Sequence, residues 1–165
     1  MKTVTILLTK YMDIGSRIIS MISPYGYTHA SISIDEKEEI FYSFNYRGFV
    51  IETPKKRYPS NRCPKNAYIH LSIPEETYEI IKQEIAYFLA YKEYYTYSRI
   101  GVVLCLLHIP HKFSNKYFCS QFVAEILSHA GAIQVKKNES LYLPGQLIDG
   151  MECLFSHKQV EYQMF

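Results

Sequence analysis

Polar and apolar residues alternate over Thr28–Ile34, with His29, Ser31 and Ser33 on one face and Ala30, Ile32 and Ile34 on the other. This period of two predicts a strand. Val4–Leu8 reads as a short buried strand before it, and Ile40–Asn45 with Phe49–Glu52 as the returning strands of a hairpin or meander after the charged turn Asp35–Glu39. Ala67–Ile73 alternates again. Between these elements, Asp13 is placed to cap a helix over Ile14–Ile22 that ends at Ser23-Pro24, and Thr53–Pro64, with its prolines and basic residues, reads as a loop.

Beyond Pro74 the period changes. Pro74-Glu75-Glu76 is a helix start, and Tyr78, Ile81, Ile85, Phe88 and Leu89 line one face of a helix running through Tyr94. Arg99–His108 reads as a buried helix and Ile109–Lys116 as a loop. A helix from about Phe118 to Ala130 is stopped by Gly131, and Leu154–Gln163 returns as a strand. Strands and helices fall in blocks, which predicts an α+β domain rather than alternating α/β.

Composition bounds the function. The chain has 165 residues, long enough for one domain over 1–165 with its own core and no need of staples. Its net charge of +2 gives no reason to expect nucleic acid as a partner. The opening segment does not read as a signal peptide, and the apolar run Ile100–Leu107 is too short to span a bilayer. A cytoplasmic protein with free thiols is therefore expected. Tyrosine supplies 16 residues while tryptophan is absent.

Four cysteines, Cys63, Cys105, Cys119 and Cys153, lack metal-type spacing, and neither metal nor organic cofactor is expected. One of them differs in position. In Tyr117-Phe118-Cys119-Ser120-Gln121-Phe122-Val123 the cysteine opens an amphipathic helix, beside unpaired N–H groups and the positive dipole end. That setting favours thiolate, and the same N–H groups suit an oxyanion. A small core residue at a helix start is the competing reading. His29 is the best-placed base, since a strand holds an imidazole firmly, although a strand-edge histidine facing water is the commoner case. His108 and His111 lie in the loop before Cys119, His70 is on an apolar strand, and His129 and His157 look peripheral.

His29 in Tyr27-Thr28-His29-Ala30-Ser31-Ile32-Ser33-Ile34-Asp35, followed 90 residues later by the cysteine motif, resembles the circularly permuted branch of the NlpC-like, papain-fold cysteine hydrolases. There the histidine strand precedes the cysteine helix. The hairpin Ile40–Phe44 with Gly48–Glu52, and Leu143-Pro144-Gly145-Gln146-Leu147 after the helix, fit the same pattern, so the resemblance covers about residues 3 to 162. It implies a permuted papain-like fold: an antiparallel sheet packed against a helical layer that carries the cysteine helix. It implies Cys119 as nucleophile and His29 as base, acting on amide, peptide or ester bonds through an acyl-enzyme.

Such sites hold a polar residue on a neighbouring strand to orient the imidazole. A tight turn at Asp35–Glu39 sets His29 across from Phe44 or Asn45, and a one-residue slip exchanges the facing set. Asn45 and Ser43 are the favoured candidates, with Glu52 more distant. Tyr27, Ser120, Gln121 and His111 are the expected substrate contacts. The tyrosines at 91, 94, 95 and 97 either wall a groove or pack at a helix end, and the basic Lys55-Lys56-Arg57, with Arg62 and Lys65, reads mainly as a solvated loop. The expected partner is a peptide-like or acyl small molecule. Alternatives are acyl transfer or thioester hydrolysis on a lipid-type substrate, and a non-catalytic peptide- or lipid-binding module on the same fold.

Overall fold

The computed structural model describes residues 1–11, 19, 21–54, 65–155 and 158–163. Among the described residues the fold is mixed α+β, an antiparallel sheet with three α-helices whose bounds are given below. Strands β1 (Lys2–Thr9), β2 (His29–Ser33), β3 (Phe41–Asn45), β4 (Gly48–Glu52), β5 (Asn66–Ile73) and β10 (Gln159–Gln163) form a six-stranded sheet in the order β10-β5-β1-β2-β3-β4. Every pairing in it is antiparallel. Two small ladders flank it: β6 (Thr96–Tyr97) beside β7 (Lys116–Tyr117), and β8 (Ile133–Val135) beside β9 (Met151–Cys153). The helices are α1 (Glu75–Ala90), α2 (Arg99–Leu106) and α3 (Cys119–His129).

The main core lies between the sheet and the helices. Ile6, Leu8, Ala30, Ile32, Phe44 and Ile69 from the strands meet Ile81, Ile85, Phe122, Val123 and Ile126 from α1 and α3. A smaller cluster of Leu7, Phe41 and Tyr68 is separate from it. All five residues of β2 are therefore buried, including the polar set His29, Ser31 and Ser33. The Leu7–Phe41–Tyr68 cluster, from β1, β3 and β5, helps to cover that polar face. Helix α3 is similarly enclosed, buried from Cys119 through Leu127, and ends where Gly131 takes φ +69°, a value strained for other residues.

Three expected elements differ. Helix α1 stops at Ala90 rather than Tyr94, because Tyr95 packs on Phe88 with ring centroids 4.6 Å apart and Thr96–Tyr97 pairs with β7. The β-favouring run Tyr94–Tyr97 yields to that strand pairing. Helix α2 was expected to be buried, yet it buries only Gly101 and Cys105, and exposes Ile100 and Val103. The C-terminal strand is shorter, starting at Gln159, with Met151–Cys153 pairing elsewhere. Most of the expected helix over Ile14–Ile22 and most of the loop Thr53–Pro64, with Lys55, Lys56, Arg57, Arg62 and Cys63, lie outside the described residues, as does His157.

Candidate active site

Cys119 is the first residue of α3, and the first intrahelical bond is Phe122 N–H to the Phe118 carbonyl. The N–H groups of Cys119, Ser120 and Gln121 thus have no partner inside the helix, and Phe118 offers no capping side chain. His29 opens β2, where Thr9 pairs with it on β1. Its Nε2 sits 3.0 Å from both carboxylate oxygens of Glu52, the last residue of β4. The imidazole also meets the Cys119 side chain through a hydrogen bond and through charge. With Nε2 taken by Glu52, Nδ1 is the nitrogen left for the sulfur.

The three side chains form a line of thiol, imidazole and carboxylate. Cys119 is 6% exposed and His29 7%. Burial opposes charge on the imidazole. Against it act the Glu52 carboxylate, the bonds to Cys119 and Glu52, and the charge of Cys119; His29 is pushed up to about 10. Its proton is retained near neutral pH. The Tyr11 ring lies 5.3 Å from the imidazole, centroid to centroid, and adds a wall beside it. A cavity of about 440 Å³ opens on the Glu52 side, lined by Tyr11, Glu52, Asn45, Arg47 and Asn66 among others.

Two loops hold the histidine strand and the cysteine helix in register. Gly145, in the segment after α3, donates its N–H to Ser23 Oγ at 3.0 Å. A Cβ there would stand 1.8 Å from the Pro24 carbonyl oxygen, so only glycine permits this approach. Tyr25 adds a 2.6 Å hydrogen bond to Asp149. The Leu143–Leu147 motif thus clamps the chain just before β2 to the chain following α3. Ser120 Oγ donates to the Tyr142 carbonyl at 2.6 Å and fixes the first turn of α3 from the same side.

The other anticipated site residues fall in different places. The pairing of Ile32 with Tyr42 is, by counting, the register that sets Asn45 across from His29. Yet Asn45 Oδ1 accepts the Arg47 N–H at 2.8 Å in its own turn, and Ser43 Oγ donates to the Ala30 carbonyl at 2.6 Å. The carboxylate that reaches the imidazole is Glu52. It is the one acid within β3 and β4, and that was the signal available in the sequence.

Tyr27 was expected in the site but is wholly buried in the main core, its hydroxyl pushed up to about 12 by burial and then by Tyr162. Ser120 and Gln121 are buried behind Cys119, and Gln121 Nε2 has no hydrogen-bond partner among the described residues. His111 packs on Phe113 at 4.4 Å, with its N–H on Ser140 Oγ at 3.2 Å. His70 joins Glu38 at 3.1 Å. Of the tyrosines near the end of α1, Tyr91 and Tyr94 are exposed while Tyr95 packs on Phe88.

Among the described residues, no group of three His, Cys, Asp or Glu side chains is placed to hold a metal ion, and no helix is long and apolar enough to cross a membrane. No model of a known protein family matches the chain, and no curated protein sequence matches it.

Proposed function

We propose that the protein is a cysteine hydrolase of the permuted papain-like type, cleaving an amide, peptide or ester bond through an acyl-cysteine at Cys119. The observation that carries this reading is His29 held by Glu52 at 3.0 Å on one side and by Cys119 on the other. His29 already holds the proton as an imidazolium beside the Cys119 thiolate, and Glu52 stabilises that imidazolium and fixes its orientation. The sulfur attacks the carbonyl carbon, and the N–H groups at the start of α3 receive the oxyanion. The imidazolium then protonates the leaving amine or alcohol. Water, deprotonated by His29, attacks the acyl-cysteine and releases the acid and the free thiol.

The test is a mass-spectrometric screen of the intact chain against a panel of activated amides and esters. The expected result is a single acyl adduct mapped to Cys119, absent from Cys119→Ser and slowed in His29→Ala. Acylation spread evenly over the cysteines, or none with any member of the panel, would reject the hydrolase. Ligand binding that survives Cys119→Ala with no adduct formed would instead favour a binding module.

A further inference from the structure

A second cavity, about 370 Å³, lies between α1 and α3, and neither Cys119 nor His29 lines it. Its walls are largely aromatic, and Glu84, Glu125 and His129 also line it. Tyr87 and Phe88 come from α1, Tyr95 from the turn after it and Tyr117 from β7, while Glu84 and Glu125 reach it from α1 and α3. The rings stand steeply to one another: Phe88 and Tyr117 at 89°, Tyr95 and Tyr117 at 69°, Tyr87 and Tyr95 at 64°. They meet edge to face rather than in a stack.

Negative charge in this region exceeds its local compensation. Lys112 lies 2.7 Å from Glu125 Oε1 but also 2.8 Å from Glu139, so one ammonium serves two carboxylates. Glu125 is 6% exposed, and its Oε2 is buried with no hydrogen-bond partner among the described residues. Glu84 lies 3.9 Å from His129 Nδ1, beyond hydrogen-bond length. Burial, and after it the neighbouring Glu125 acting against the pull of His129, holds the Glu84 carboxyl above the usual carboxylate range.

We infer that this cavity binds an organic ammonium ion, quaternary or primary on a short apolar stem, held against the Tyr87, Tyr95 and Tyr117 rings with Glu84 and Glu125 as its counter-charges. Ring quadrupoles attract a cation, and most strongly where water is excluded. An inorganic cation is a poor fit, because hard metals need a shell of oxygen ligands that aromatic walls do not supply. An anion would meet two carboxylates. A neutral apolar molecule would bring no counter-charge to the two carboxylates. The inference does not depend on the chemistry of Cys119.

Calorimetric titration of the full chain with choline, against its neutral isostere 3,3-dimethyl-1-butanol and against sodium chloride at equal ionic strength, tests it. Choline is expected to bind at least about tenfold more tightly than the isostere, with no signal from sodium. Glu125→Gln also breaks the Lys112 pair, so the test rests on Tyr87→Leu, whose ring is half exposed, and Glu84→Gln. Each is expected to weaken choline about three- to tenfold while circular dichroism stays that of the parent. Equal binding of choline and the isostere would overturn the inference. So would no binding of choline at 100 mM, or undiminished affinity in both folded variants.

Discussion

Cys119 and Cys105 are buried to nearly the same degree, 6% and 4% exposed, and close enough for each to feel the other's charge, yet their surroundings give them opposite character. Cys105 sits in the last turn of α2 among Phe118 and Leu143, at the negative end of a helix. Burial pushes its thiol up to about 11, partly offset by Lys137. Cys119 sits in the first turn of α3, at the positive end, with a charged imidazole beside it. Burial alone disfavours a thiolate, whereas a helix start with an imidazolium beside the sulfur is the setting that the proposed hydrolase requires.

The widest gap is expected in alkylation. In a chain carrying Cys63→Ser and Cys153→Ser, iodoacetamide at pH 7.5 should modify Cys119 roughly a thousandfold faster than Cys105, as followed by peptide mass spectrometry. Equal rates would erase the distinction drawn between the two thiols. Next in size is His29→Ala, which should slow alkylation of Cys119 by about a hundredfold and leave Cys105 unchanged.

Glu52→Gln is expected to slow Cys119 by about tenfold, and it should also destabilise the fold by about 3 kcal/mol near pH 6, because it leaves a buried imidazolium without its partner. The sign with pH follows from the raised His29. Its stabilising contribution is complete below the unfolded value of 6.5 and is lost as pH rises towards about 10. The stability difference between parent and Glu52→Gln, measured by urea unfolding, should therefore shrink from pH 6 to pH 10. A constant difference would mean that the pair carries no charge.

Gly145→Ala should cost about 1–3 kcal/mol, since the new Cβ drives the Ser23–Pro24 loop away. It should also loosen the placement of His29 against Cys119, seen as slower alkylation. The smallest effect belongs to Cys105→Ala: a modest loss in melting temperature and no change in the Cys119 rate. A large change there would show that the two thiols act as a unit.

Much of the architecture was legible because its signals are local. The alternation at Thr28–Ile34, the turn at Asp35–Glu39 and the apolar stripe of α3 each fall within a dozen residues. The boundaries that moved were set by distant partners. Thr96–Tyr97 pair with β7 beyond the end of α1, and α2, apolar after Arg99, turned only one side to the core. The positions of Cys119 and His29 were readable as a helix start and a strand start. The carboxylate that meets His29 was read only as the more distant option, because strand pairing favours residues on the next strand, whereas Glu52 comes from β4, one strand beyond.

What the sequence determined by itself was the kind of residue at each end of each element: a thiol at a helix N-terminus, an imidazole opening a strand, an acid closing another, a glycine after the cysteine helix. Tertiary structure decided which of these meet. Asn45 lies in the register expected of the third residue, but its amide is spent on the Arg47 N–H, and the Glu52 carboxylate is the group that arrives at Nε2. Likewise the tyrosine surplus named no site. Packing of α1 against α3 and β7 collected Tyr87, Tyr95 and Tyr117 around one cavity, because contacts between side chains far apart in sequence depend on how helices and strands dock and not on their own periodicity.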